Sequence, residues 1–301
     1  QEIDGQIRQS SIYYAPDATV GPMNLQDAGA VLCVDLSALR EATGLPIDGV
    51  LGNTFLRKYV VQIDFDNGRV RFYPPNGNVS GWGQALNMRM LQSGVPVILP
   101  SFGKDIQCFM LVDTGFAETG MLPGKLFDLL RKEQNIPIAT SKYLAENGED
   151  IESVVARIKD FQPGKHHYSG LIFDRNAGEA SLLGLGFLAR HIVTFDFRND
   201  KLYLKKGKCI NKTDEVDMSG LHLLRKPKGV VIHSLDTGSP GIKAGLKTGD
   251  VMLKVDGKDV NTITLFQLRQ ILRSGDGKNV EVLFRRGNKG FKTILTLKKR
   301  I

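Results

Sequence analysis

A short apolar run leads into a tripeptide whose side chains suit acid–base chemistry. Residues 109–112 form the run, and Asp113, Thr114 and Gly115 follow it directly. A carboxylate at the tip of a buried strand can meet a second carboxylate, and two such groups about 3 Å apart share one proton because both cannot ionise. One form then activates a water molecule as general base while the other protonates a substrate carbonyl. Asp113 therefore suits the role of one member of such a pair.

The two residues after Asp113 suit the same site. The Thr114 hydroxyl can hydrogen-bond across the site and hold the pair in place. Gly115 permits a sharp turn and a close approach of the backbone to a substrate.

An internal repeat indicates what must position these residues. Residues 50–65 and 182–197 match without a gap at an offset of 132, with Gly, Phe, Leu, Val, Asp and Phe recurring in register. Each copy continues through a turn into a second strand, and the Asn-Gly in the first turn is a strong hairpin signal. The repeat predicts two homologous units, each built from a short helix, a strand, a tight turn and a strand.

The tripeptide and the repeat together resemble the retropepsin-like aspartic proteases. In that family, Asp-Thr-Gly is followed later by two apolar residues and Gly before a short helix, a pattern that fits residues 182–184, and residues 50–52 in the first unit. The resemblance implies two pepsin-type β lobes whose aspartates form a dyad, with Asp113, Thr114 and Gly115 as catalytic residues. It implies a polypeptide substrate and no cofactor.

The family also carries a flap hairpin over its active site. Residues 142–158 are a plausible flap, with Tyr143 on the first strand and Asn147 and Gly148 at the tip.

The repeat places the aspartate of the first lobe about 19 residues before Gln1, if the lobes are alike. The first lobe is therefore expected to be incomplete at its N-terminus. The second carboxylate then comes from an upstream segment or from a homodimer in which two Asp113 residues meet.

A different pattern follows the second copy of the repeat. Residues 239–250 read Ser-Pro, then Ala-Gly-Leu, then Gly-Asp, and resemble bacterial PDZ domains attached to extracytoplasmic proteases. The second Asp-Thr-Gly of the chain, at 236–238, immediately precedes this run and is interpreted as a structural turn. The resemblance implies a C-terminal or internal peptide bound as an added strand between a carboxylate-binding loop and a helix. The residues assigned to that site are Ser219, Gly220, Leu221, His222, Leu265 and Leu268.

Composition excludes several other classes. Net charge is +8, and from Arg225 onward 17 Lys and Arg face 6 Asp and Glu, but the basic residues are scattered and do not favour nucleic-acid binding. No apolar run approaches the roughly 18 residues of a membrane span. Three widely spaced cysteines form no disulfide framework, and the pair His166 and His167 lacks a third ligand, so no metal site is predicted.

The sequence thus predicts a mainly β protein with three parts: residues 1–75 as the incomplete first lobe, 76–212 as the second lobe, and 213–301 as the PDZ domain. The predicted function is an aspartic endopeptidase with a PDZ domain for peptide or partner recruitment. The alternative is a protease-like scaffold without catalysis that binds peptides through its PDZ domain. An extracytoplasmic location, in the periplasm or cell envelope, is implied by the resemblance.

Overall fold

The computed structural model describes residues 10–75, 80–144 and 150–301. Most of its regular structure is β-strand and its helices are short, which confirms the mainly β class. A 12-stranded sheet and a 6-stranded sheet contain most of the strands. Within the described ranges, no helix is long and apolar enough to span a membrane.

The first segment, residues 10–75, buries few of its side chains. Its elements are β1 (Ser11–Tyr14), β2 (Thr19–Val20), β3 (Met23–Asn24), a 3-10 helix (Leu25–Ala28), β4 (Ala30–Cys33), α1 (Ser37–Thr43), α2 (Asn53–Leu56), β5 (Val60–Asp64) and β6 (Arg69–Tyr73). Strand β1 pairs with β4, and β2 pairs with β3. Among the described residues before β5, the buried ones are Met23 and Phe55.

The second segment forms most of the large sheet. Its elements are β7 (Gln84–Met90), β8 (Pro96–Ile98), β9 (Ser101–Phe102), β10 (Ile106–Gln107), β11 (Met110–Val112), β12 (Gly120–Pro123), α3 (Gly124–Glu133), β13 (Ile138–Leu144), β14 (Asp150–Ile158), β15 (Leu171–Asn176), β16 (Leu182–Leu183), α4 (Leu185–Leu188), β17 (His191–Asp196) and β18 (Lys201–Lys206). The strand order is β13-β14-β15-β12-β16-β11-β8-β7-β18-β17-β5-β6. Strands β5 and β6 of the first segment thus extend the sheet of the second.

A local two-fold axis relates the two copies of the repeat. Strands β5 and β17 are antiparallel neighbours in which Gln62 faces Thr194, and Val61 faces Phe195. Gln62 and Thr194 are equivalent positions of the repeat, 132 residues apart, and the buried Gln62 Nε2 donates to Thr194 Oγ1 at 3.0 Å. Because equivalent residues meet at the centre of the pair, the axis passes between them.

The turns after the two strands are also equivalent. Asp64 accepts hydrogen bonds from the backbone N–H and the side-chain amide of Asn67, at 3.2 and 2.9 Å. Asp196 accepts the same two bonds from Asn199, at 3.2 and 2.8 Å. Since side chains three residues apart make these bonds, each turn is fixed by its own local sequence.

An aromatic core lies beneath β11. The ring of Phe161 contacts those of Phe102, Phe173 and Phe187, with centroid separations of 5.2, 5.4 and 5.4 Å. Such pairs add about 0.5–1.5 kcal/mol each beyond the burial of their area. Met110 and Val112 of β11 belong to the same core, so the strand that precedes Asp113 rests on a well-packed base.

The C-terminal unit has a sheet and a core of its own. Its elements are β19 (Leu221–Lys226), β20 (Gly229–Leu235), α5 (Pro240–Lys243), β21 (Val251–Val255), β22 (Lys258–Asp259), α6 (Leu265–Leu272), β23 (Asn279–Arg286) and β24 (Lys289–Thr296). The strand order is β19-β20-β21-β23-β24, with β22 on β21. Thr264 and Gln267 form a capping box that starts α6.

Candidate functional site

Asp113 lies at the end of a strand that is enclosed on both sides. Strand β11 pairs with β8 on one side and, in parallel, with β16 on the other. The Asp113 N–H donates to the Leu183 carbonyl at 3.0 Å, and the Gly115 N–H donates to Asp113 Oδ1 at 2.7 Å. Asp113 is half-buried, whereas Thr114 and Gly115 are exposed. The arrangement presents one oriented carboxylate at the surface of the sheet.

The start of helix α4 holds the loop that follows the tripeptide. Gly184 N–H donates to Thr119 O at 2.9 Å, Leu185 N–H to Phe116 O at 2.7 Å, and Gly186 N–H to Glu118 O at 3.0 Å. A Cβ on Gly184 would lie 2.3 Å from Glu118 O, so a larger residue does not fit there. The loop after Asp113 is therefore clamped by three backbone bonds to the second copy of the repeat.

Residues 50–52 are the equivalent element in the first copy, and they are not enclosed by neighbouring strands among the described residues. Val50 and Leu51 are 72% and 38% exposed, whereas Leu182 and Leu183 are buried. A Cβ on Gly52 would meet nothing within 4 Å. Within the described ranges, no carboxyl group is hydrogen-bonded to Asp113. Among the described residues, Asp113 is thus anchored by backbone hydrogen bonds without a carboxyl partner.

The predicted flap falls on a long hairpin. Strands β13 and β14 pair antiparallel from Ile138–Ala156 to Leu144–Asp150. Tyr143 lies on β13, opposite Ile151. The predicted tip residues Asn147 and Gly148 lie outside the described residues.

The predicted carboxylate-binding loop of the C-terminal unit already holds a carboxylate. Asp217 Oδ1 accepts from Ser219 N–H at 2.8 Å, from Gly220 N–H at 2.7 Å and from Ser219 Oγ at 2.6 Å. The Leu221 N–H donates to Ser219 Oγ at 3.1 Å. Leu265 and Leu268, assigned to the same site, are buried in the core of the unit.

The second Asp-Thr-Gly lies in the turn before α5. His222 Nε2 and Asp236 Oδ1 are 2.9 Å apart, and Arg300 also bonds Asp236. Burial alone would raise the pKa of Asp236, but the hydrogen bonds and charges of His222 and Arg300 outweigh it and lower that pKa. Ser239 accepts from the Ile242 N–H and caps α5. Asp236 is thus paired and buried within the C-terminal unit.

A charged cluster joins the loop after Asp113 to the C-terminal unit. Thr119 Oγ1 donates to Asp214 Oδ2 at 2.7 Å, and Arg190 also bonds Asp214. Glu118 Oε1 lies 3.4 Å from Arg273 of α6. Sequence reasoning missed this cluster because its members are far apart in the chain and form no motif.

A buried carboxyl group lies close to this cluster. Burial raises the pKa of Asp174, on β15, to about 7, and the negative charge of Glu118 adds to the shift. A carboxyl group with this pKa is partly protonated at neutral pH, unlike an exposed aspartate. No pattern in the sequence marks Asp174.

Comparisons with known proteins identify a domain in the C-terminal unit and two relatives by sequence. A family model described as PDZ domain matches residues 231–286. A protein named Probable CtpA-like serine protease, from Staphylococcus haemolyticus, is 28% identical over 116 residues, 38% of this chain and 23% of that protein. Carboxyl-terminal-processing peptidase 2, chloroplastic, from Arabidopsis thaliana, is 34% identical over 61 residues, 20% of this chain and 12% of that protein. The chain thus spans less than a quarter of either relative.

A solved structure of a retropepsin-like aspartic protease from Rickettsia conorii is 21% identical, with 40% of this chain and 89% of that chain covered at a TM-score of 0.32. A TM-score this low does not establish a shared fold. The relatives found by sequence are named as a serine protease and a carboxyl-terminal-processing peptidase, and neither name supports an aspartic mechanism. The family match and the separate sheet and core together show that the C-terminal unit is a PDZ domain.

Proposed function

We propose that this chain belongs to an aspartic endopeptidase that carries a PDZ domain, with Asp113 as one carboxylate of its dyad. The observation that carries the proposal is the clamp on Asp113: its N–H is bonded to Leu183, and the loop after it is bonded to the start of α4. Such anchoring holds the carboxylate in one orientation, which positioned acid–base catalysis requires.

The two-fold axis supports a dyad over a single carboxylate. The axis through Gln62 and Thr194 relates Leu183 to Leu51, so the symmetry equivalent of Asp113 belongs beside Leu51. In this proposal a second carboxylate takes that position, supplied by residues outside the described ranges or by a second copy of the chain. The pair shares one proton, and one member activates water while the other protonates the peptide carbonyl.

The remaining predicted residues take supporting roles in this proposal. Thr114 bonds the opposing loop, and Gly115 leaves room for the substrate backbone. The β13–β14 hairpin, with Tyr143 on its first strand, closes over a polypeptide substrate and excludes water. The PDZ domain recruits peptide segments or partners.

The test replaces Asp113 with Asn in the protein and follows hydrolysis of a labelled casein. We expect activity to fall about 1,000-fold or more, because Asn cannot accept and return the proton. Asp236→Asn, in the other Asp-Thr-Gly, serves as the control and keeps full hydrolysis. Activity that survives in Asp113→Asn refutes the assignment. Loss of wild-type activity after treatment with a serine-directed fluorophosphonate would favour the mechanism named for the serine-type relative.

A second candidate function is a peptide-binding scaffold without catalysis. It is favoured by the exposure of Val50 and Leu51, where the clamp around the first copy is missing among the described residues. Two measurements separate the candidates. One is the activity per chain as a function of protein concentration, and the other is the molar mass in solution. A homodimeric dyad gives activity that rises steeply with concentration, whereas the scaffold hydrolyses nothing at any concentration.

We also propose an extracytoplasmic location, which rests on the family resemblance. Fractionation of cells expressing the natural protein tests it, and recovery with the cytoplasmic proteins would contradict it.

A further inference from the structure

The free edge of β19 is where a PDZ domain receives a peptide as an added strand. Strand β19 ends the order of the small sheet and packs against α6. Its residue Leu223 faces Ile232, whose N–H donates to Asp250 O and whose C=O accepts from Gly249 N–H, both away from β19. Leu223 and Ile232 are thus a non-hydrogen-bonded pair, in which the N–H and C=O of both residues point away from the partner strand. The N–H and C=O of Leu223 therefore face the free edge.

Helix α1 of the first segment lies on this edge. Arg269 of α6 donates from Nη2 to the Leu223 carbonyl at 3.0 Å and to the Ala42 carbonyl of α1 at 2.9 Å. The carbonyl that an added strand would use is thus already bonded, and the same guanidinium ties α1 to the groove.

Further contacts of α1 lie along the groove between β19 and α6. Glu41 Oε2 lies 3.3 Å from Lys226 Nζ at the end of β19. Gly44, which ends α1 with φ of 70°, leaves so little room that a Cβ there would lie 3.1 Å from Leu265 Cγ and 3.1 Å from Arg225 Nε. The end of α1 therefore reaches from the last residue of β19 to the first residue of α6.

The other end of the groove is filled as well. The amides of Ser219 and Gly220, which would receive a peptide carboxylate, are bonded to Asp217. A ligand that ends in a free carboxylate would have to displace that side chain.

We propose that the PDZ groove is closed by its own chain, with α1 as an internal ligand, and that a polypeptide segment binds only when α1 leaves. The proposal deepens the proposed function and rests on it only for the use made of the bound peptide. It also predicts a link to the first copy of the repeat, because Val50, Leu51 and Gly52 follow α1 in the chain and are released with it.

The docked helix is suited to displacement. No residue of α1 is fully buried, so its departure exposes little apolar surface and costs little free energy. The apparent affinity for an outside ligand is the intrinsic affinity multiplied by the fraction of molecules with an open groove.

The contacts of α1 also define the ligand. The segment must replace a carboxylate near Lys226 and a carbonyl near Arg269. Because Asp217 fills the carboxylate loop, an internal segment fits without a free C-terminus. We therefore infer an extended, acidic, internal polypeptide segment as the ligand.

The test measures peptide binding to the whole chain, with Asp113→Asn in every variant so that hydrolysis cannot intervene. The probe is a fluorescein-labelled pool of amidated ten-residue peptides with two fixed Glu and otherwise random positions, followed by polarisation. Gly44→Leu should bind it about tenfold more tightly than the parent, since the new side chain collides with the groove. Gly29→Leu is the matched control, because Gly29 also has a positive φ but a Cβ there meets nothing within 4 Å.

Two further measurements keep the proposal falsifiable if Gly44→Leu folds poorly. Glu41→Lys should tighten binding about threefold, because it replaces a half-buried ion pair with two like charges. In the parent chain, saturating probe should speed tryptic cleavage after the exposed Arg40 of α1 several-fold.

Equal affinity in the Gly44 and Gly29 variants, with unchanged cleavage after Arg40, overturns the proposal. So does failure of a folded Gly44→Leu chain to bind the pool. Neither result bears on Asp113, whose role is judged by casein hydrolysis alone.

Discussion

In the second copy of the repeat, Leu182 and Leu183 form strand β16 between β11 and β12, whereas in the first copy Val50 and Leu51 lie in no strand and face solvent. The two copies nevertheless start a helix after the same glycine and end in the same turn. Local sequence thus sets the local shape, and the neighbouring strands decide which copy is enclosed. The enclosed copy is the one that clamps Asp113.

The largest expected effect is a pH dependence of stability that arises in the part of the sheet that encloses the second copy. Asp174 lies on β15 of the enclosed region, with a pKa raised to about 7 by burial and the charge of Glu118. A raised pKa means that the folded state keeps a proton which the unfolded state releases near pH 4. The stability it contributes is full below about pH 4 and is lost as pH rises through 7, by on the order of 4 kcal/mol.

Urea unfolding of wild type and Asp174→Asn between pH 4 and 8 measures this effect. The variant should lose most of that pH dependence, since Asn does not titrate. Asp48→Asn, at a side chain 94% exposed, is the control and should behave as wild type. Parallel curves for wild type and Asp174→Asn would contradict the assignment.

The next prediction compares the two equivalent leucines. Leu183→Ala should lower the free energy of unfolding by about 3 kcal/mol, because it leaves a cavity beneath the Asp113 clamp. Leu51→Ala should cost less than about 1 kcal/mol, since that side chain is already partly in water. Equal costs in urea unfolding would show that the first copy is enclosed in solution.

The equivalent glycines sharpen the comparison without removing apolar surface. Gly184 and Gly52 both have extended backbone, with φ of −103° and −81°, so Ala meets no backbone strain at either position. Gly184→Ala should cost about 2 kcal/mol, because its Cβ collides with the Glu118 carbonyl. Gly52→Ala should be close to neutral. Thermal unfolding of the two variants, side by side, decides whether the loop after Asp113 is clamped as described.

The smallest effect is expected from the loss of the buried hydrogen bond that lies on the two-fold axis between the copies. Thr194→Val keeps the shape of the side chain but removes the acceptor of the buried Gln62 amide. We expect a loss of about 1 kcal/mol in urea unfolding. Thr140→Val, on β13, removes only a solvent-exposed acceptor of Arg300 and should change little. An unchanged stability for Thr194→Val would mean that the two strands do not meet in this register.

Sequence reasoning could propose a site only from residues that belong to a recognisable motif. Asp113, Thr114 and Gly115, with the later element at 182–184, formed a readable pattern, and the structure brings Asp113 and Leu183 together. The bond from Thr119 to Asp214 spans 95 residues, and no local sequence pattern at either residue indicates this contact. The interpretation of the second Asp-Thr-Gly as a turn agrees with its place before α5.

By itself, the sequence determined the features that short segments encode. The repeat, its two Asp–Asn turns, the capped helix α6 and the PDZ pattern all depend on residues within a few positions of one another. Only the tertiary structure decided that β5 pairs with β17 across a two-fold axis, that Asp217 fills the carboxylate loop, and that α1 covers β19. The contact between Ala42 and Arg269 joins residues 227 apart. A backbone carbonyl and an arginine occur throughout any chain, so only packing selects which of them meet.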